Sequence, residues 1–146
     1  MNNWYEVKAK FTKQLEDGRL KRVTDTFLID AVSHTDAEER AWNELLDQIP
    51  GEVIVTGITP KVINDIIAND EMIDYWWMCV VGYTAIDADN GYIKHIKSNI
   101  LVSADRLDQA VVAIIDFVKD WQGAIKLHSI KETSIVEVLP YKPSND

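Results

Sequence analysis

Cysteine is almost missing from this chain: Cys79 stands alone among 146 residues, which rules out an internal disulfide and any paired-cysteine redox or metal motif. Long apolar runs are lacking too, and no stretch is long enough to span a bilayer as a helix. The six glycines lie scattered, mostly at predicted turns, so no glycine-rich phosphate loop exists. No serine sits in a G-x-S-x-G elbow. Net positive charge is absent as well. The 15 Lys and Arg against 24 Asp and Glu leave −9, which argues against a surface that coats DNA indiscriminately. A local basic groove stays open, because the placement of charge decides and not its sum.

The isolated groups that could carry chemistry have plainer readings. Cys79 lies in the apolar alternation WWMCVVGY and reads as a buried thiol. His34, His95 and His128 have no close ligand spacing and no cysteine partners, so no metal is expected. Asp87-x-Asp89-Asn90-Gly91 looks like a calcium loop, but its glycine comes at the fifth place and Ser98 stands where the bidentate Glu belongs. It reads as a hairpin turn. Asp25 falls on the inward face of its strand, with Ser98 in the same place of a second repeat. Both are expected to bond neighbouring backbone at a bulge or sheet edge. No catalytic constellation and no cofactor is expected, and the chain does not read as an enzyme.

What is present is a repeat. Moving the second half back by 73 sets Trp4 on Trp77, Val7 on Val80, Gly18 on Gly91 and Leu28 on Leu101. An offset of 72 then sets Ala41 on Ala113, Gly51 on Gly123 and Ile66 on Val138. Two repeats, about 3–67 and 76–139, are joined by a connector at 68–75 and followed by a short tail at 140–146. The length suits a single domain, and 47% hydrophobic and 27% charged residues are ordinary for a globular chain.

Period-two alternation predicts strands over 4–14, 19–31, 52–59, 75–86, 92–103 and 125–139. LEDG and DNG mark the hairpin turns. Ser33 is the predicted N-cap of a helix with Asp36 as its N3 acid, and Ala41, Trp42, Leu45, Leu46 and Ile49 form its apolar stripe. A second helix is predicted over 105–121. Pro60 is expected to interrupt the third strand, with 62–67 as an edge or bent extension. The fold class is α+β: a duplicated β-β-α-β unit, antiparallel sheets with two helices on one face, and a pseudo-twofold relation. The amino terminus alternates from Trp4 and reads as a strand, not a targeting peptide.

Three segments carry a family resemblance: Asn3-Trp4-Tyr5-Glu6-x-Lys8, the run Val23-Thr24-Asp25-x-Phe27-Leu28-Ile29-Asp30-Ala31-Val32-Ser33, and Lys97-Ser98-Asn99-x-Leu101-Val102-Ser103. Together with Val138-Leu139-Pro140-Tyr141 they make the whole chain similar to a domain family of unknown function from Bacteroidota and their phages. The resemblance implies a bacterial or phage cytoplasmic protein. It brings no activity, cofactor or catalytic residue.

Charge placement supplies the functional expectation. Lys8, Lys10, Lys13, Arg19, Lys21 and Arg22 crowd the first hairpin. If helices cover one sheet face, Lys8, Lys10, Arg22, Thr24, Tyr83, His95, Lys97 and Asn99 project from the other. Cations that track phosphates beside aromatics that stack on bases are how single-stranded DNA or RNA is held. Trp4 and Trp77 are placed on that outer face too, for stacking or for an interface. The alternative is a protein-interaction or assembly module, a homodimer or accessory subunit. No membrane partner is expected.

Overall fold

The computed structural model describes residues 3–68 and 75–141; the connector positions 69–74 and the tail beyond Tyr141 lie outside the described residues. The chain is α+β and divides into two compact units, residues 1–62 with 135–146 and residues 63–134.

Unit 1 begins with a long antiparallel hairpin, β1 (Trp4–Gln14) and β2 (Leu20–Asp30), in unbroken register from Trp4 opposite Asp30 to Gln14 opposite Leu20. Helix α1 (His34–Glu44) follows. The Ser33 hydroxyl accepts the Asp36 amide at 3.1 Å, and the Asp36 carboxylate accepts the Val32 amide at 3.0 Å. One orphan donor of the helix entry is thus satisfied by Ser33, and Asp36 reaches back to the residue before the cap in a variant of the capping box. The helix stops at Glu44 with Leu45 as its cap, and a 3-10 turn over Leu46–Gln48 holds Leu46 of the predicted stripe, with Ile49 just beyond. Strand β3 (Val53–Lys61) pairs with β1 as the sheet edge. Pro60 therefore does not interrupt β3 as predicted, since an edge strand tolerates a missing N–H that faces away from the ladder.

Past β3 the chain leaves that sheet. Strand β4 (Asp65–Ile67) pairs in parallel with β6 (Ile93–Ser103) of unit 2, setting Ile66 opposite Leu101. Unit 2 repeats the pattern with the hairpin β5 (Trp76–Ile86) and β6, helix α2 (Leu107–Val118), and β7 (Ile125–Glu132). The predicted final strand 125–139 is two strands. At Thr133 both the amide and the hydroxyl donate to the Trp76 carbonyl, at 2.9 and 2.8 Å. Beyond it β8 (Ile135–Leu139) pairs in parallel with β2 of unit 1. The two mixed sheets run β3-β1-β2-β8 and β4-β6-β5-β7. Each repeat thus contributes its last strand to the sheet built mainly from the other.

Each sheet carries one helix on one face. In unit 1 Val7, Ala9, Phe27 and Ile29 pack with Ala41 and Leu46; in unit 2 Cys79, Val81, Ile100 and Val102 pack with Ile114 and Val118. The register corrects the repeat alignment. Asp30 and Ser103 lie 73 apart and pair with Trp4 and Trp76, so the first strands align at 72. Trp4 matches Trp76, not Trp77, and Val7 matches Cys79, not Val80. The helices in turn align at 73, with Ala41 over Ile114 in the two cores.

Candidate nucleic-acid interface

Strand alternation puts Lys8 and Lys10 opposite the core-facing Val7 and Ala9, on the face of β1 away from α1. Arg22 and Thr24 share that face on β2, opposite Thr12 and Lys10. All four are exposed. Glu6, on the same face, forms ion pairs with Lys8 at 3.7 Å and Lys61 at 3.9 Å. These are partly exposed contacts of small energetic weight, so Glu6 trims the local charge without cancelling it. Lys13 and Lys21, opposite each other, belong to the other face, and Arg19 is tied to Asp17 at 2.6 Å within the turn.

In unit 2 the helix-free face holds His95, Lys97 and Asn99 as expected, opposite Thr84, Gly82 and Val80. His95 and Lys97 are exposed. Asn99 is half-buried, and its backbone is bonded to Asn64: its amide donates to Asn64 Oδ1 at 2.7 Å and its carbonyl accepts the Asn64 amide at 2.8 Å.

Two expected members are elsewhere, and a third is buried in place. Tyr83 shares the face of Cys79 and Val81, and its ring meets Trp121 edge-on at 5.3 Å. With Asn64, Asp65, Ser98 and Gln122 these rings line a pocket of about 410 Å3. Trp77 is also on the helix-bearing side, and its Nε1 donates to the Ala104 carbonyl at 2.8 Å. Both misplacements follow from the one-residue slip in alignment, since a shift of one residue turns every side chain to the other face. Trp4 does lie on the helix-free face, but it is only 6% exposed and offers no stacking platform.

That face is not open along its whole length. Toward the ends of the strands far from the hairpin turns, Trp4, Thr26, Leu28 and Asp30 in unit 1 and Leu101 and Ser103 in unit 2 are buried. On the hairpin strands the part nearer the turns is exposed and basic, while on the edge strands Lys61, opposite Trp4, and Lys131, opposite Met78, are exposed farther along.

Reading the sequence missed Lys126, His128, Lys131 and Tyr92. Lys126 lies opposite Gly82 and Lys131 opposite Met78. His128 occupies the register shift between Val80 and Val81, where a bulge re-aims a side chain. Alternation in Ile125-Lys126-Leu127-His128 was the available signal. Tyr92 is exposed at the second hairpin turn.

The remaining candidates have structural roles. Cys79 is fully buried, and burial pushes its thiol up to about 11; at neutral pH it is a packed, unreactive thiol. Asp87 organises the turn. Its carboxylate accepts the Asp89 amide at 2.9 Å and meets Lys94 Nζ at 3.2 Å. The Asp89 amide first and Lys94 second hold the carboxyl below its ordinary value. Gly91 adopts φ +71, which glycine reaches without strain. Among the described residues, no three His, Cys, Asp or Glu side chains gather to hold a metal ion, and no helix is long and apolar enough to cross a membrane. Asp25 sits opposite Ala9, where the β1–β3 register shifts, and Ser98 sits opposite Val81, where the β5–β7 register shifts.

Fold and site together define a duplicated α+β protein whose hairpin faces are basic although the chain is acidic. It belongs to the family described as Domain of unknown function (DUF4494), whose model matches residues 3–141. No curated protein and no solved structure matches the chain.

Proposed function

We propose that this chain is a non-enzymatic single-stranded nucleic-acid-binding module, working in bacterial or phage DNA metabolism in the cytoplasm. The observation that carries this reading is the segregation of charge. On a chain of net charge −9, Lys8, Lys10 and Arg22 stand out from one helix-free sheet face, and His95, Lys97, Lys126, His128 and Lys131 from the other. The described strand residues of the second face include no carboxylate. Lysines and arginines in rows, with hydroxyl and amide side chains between them, suit a phosphate backbone held without sequence readout. Tyr92, 73% exposed, is the aromatic available for stacking. The resemblance to a family of Bacteroidota and their phages supports the cellular setting.

Lys8→Glu combined with Lys10→Glu is expected to abolish binding of a fluorescently labelled single strand at low salt, measured by anisotropy. Both side chains are exposed, so the variant should keep the wild-type circular dichroism. Wild-type protein that holds no strand under those conditions refutes the reading.

One observation favours an assembly module instead. On α2, Val112 and Ile115 are 68% and 55% exposed, whereas the exposed positions of α1 are polar. In that reading a second copy of this chain covers the α2 pair. Sedimentation would then show a mass that rises with concentration and falls back on Val112→Glu.

A further inference from the structure

We infer that the groove around Gly82 is a phosphate cradle, a discrete seat for one phosphate group on the helix-free face of unit 2. The inference deepens the nucleic-acid reading and rests on it for what carries the phosphate.

Gly82 is the starting point. A glycine inside a strand weakens it and commonly marks a place where a ligand or another group comes close. Here a Cβ at position 82 would lie 2.9 Å from Cδ2 of His128 and closer still to its Nε2. The missing side chain is therefore what lets the imidazole lie over the strand. The register shift between Val80 and Val81 brings His128 there. On the two neighbouring strands Lys97 and Lys126 stand directly opposite Gly82, one on each side. His95 and Thr84, themselves a cross-strand pair, continue the lining. The resulting groove encloses about 400 Å3.

The contents match a phosphate. Lys97 and Lys126 flank Gly82, the His128 imidazole that covers the glycine can donate an N–H, and a threonine hydroxyl can do the same. The described strand residues place no carboxylate on this face to compete for the cations.

The other unit is an internal comparison. By strand register Lys10 takes the place of Gly82, Thr24 of Lys97, Ile54 of Lys126 and Thr56 of His128. Unit 1 has the Lys10 side chain where the floor should be, and Thr24 and Ile54 in place of the flanking lysines. The cradle is thus a property of unit 2 alone, and unit 1 supplies only diffuse charge.

The test is a 1H–15N titration of the full chain with inorganic phosphate, against sodium chloride at matched ionic strength. Saturable shifts are expected at Gly82, Lys97, Lys126 and His128, with Lys8 and Lys10 unmoved. Gly82→Ala, which drives a methyl into His128, and Lys126→Gln, which leaves the backbone alone, should each weaken phosphate by about tenfold. Shifts reproduced by chloride alone, or a folded Lys126→Gln protein that binds phosphate as wild type does, overturn the cradle. A labelled single strand distinguishes the two readings. Phosphate held at Gly82 with no strand bound leaves the cradle standing and removes the nucleic-acid function. A strand bound equally by wild type and Lys126→Gln keeps that function and removes the cradle.

Discussion

Deleting residues 135–146 is expected to unfold the sheet of unit 1, although those residues directly follow the last strand of unit 2. Strand β8 covers the edge of β2 through the pairs Thr26 with Ile135, Phe27 with Glu137, Leu28 with Val138 and Ile29 with Leu139. Ile135 is 5% exposed, and Val138 and Leu139 are half-buried. One buried and two half-buried aliphatic side chains are worth about 4 kcal/mol, before the exposed backbone edge is counted. That is a large share of the 5–15 kcal/mol that ordinary domains possess. Hydrogen exchange should show protection lost over Thr26–Ile29, while the central β5–β6 pairing keeps its own. Loss centred on β5 and β6 would contradict the strand exchange. Leu139→Ala offers a milder form of the same experiment, with the same location of damage.

Arg40→Met is the second large effect. The Arg40 guanidinium donates to the Asp30 carbonyl at the end of β2 and, at 3.2 Å, to the Pro140 carbonyl just beyond β8. Its Nε also meets Glu44 at 2.8 Å, one helical turn on. One side chain therefore ties α1 to two strand ends. The arginine side chain is only 15% exposed, so the substitution leaves the inner carbonyl poorly solvated. A loss of about 2 kcal/mol is expected, read as a lower midpoint in urea. Arg40→Lys should fall between, since an ammonium has no planar fork. Glu44→Gln removes only an i,i+4 pair on a half-open surface and should cost about 0.4 kcal/mol. Equal losses for Glu44→Gln and Arg40→Met would show that the helix pair, and not the strand tie, carries the energy.

The hairpins, the Ser33 cap and the burial of Cys79 were legible because each is governed by local pattern. Alternation marks strands, a polar cap precedes a helix, and a thiol amid Val and Met is packed. The exchange of β4 and β8 was not legible, because which sheet edge a short apolar strand joins depends on chain segments far away in sequence. The repeat offset failed for a particular reason. Trp76 and Trp77 are adjacent, so Trp4 can be set on either. At 73 the exposed Lys8 falls on buried Val81; at 72 Val7, Ala9 and Phe11 fall on Cys79, Val81 and Tyr83, all on the core side. Side-chain polarity selects the second offset. The hairpin loops explain the change: residues 15–19 in the first and 87–92 in the second, one residue longer.

The same slip decided how much of the site could be read. In unit 1, where no alignment was needed, Lys8, Lys10, Arg22 and Thr24 are on the expected face. In unit 2 His95, Lys97 and Asn99 kept their face because β2 and β6 do align at 73, while Tyr83 on β5 did not. Lys126 and His128 required knowing that β7 lies beside Gly82.

The affinity of wild-type protein for a labelled single strand, measured across a range of salt concentrations, tests the basic-face account most directly. Engagement of three to five of these cations predicts that log K falls linearly with log salt, with a slope of about −2 to −3.5. Absence of binding at the lowest salt, or binding that ignores salt, would contradict it.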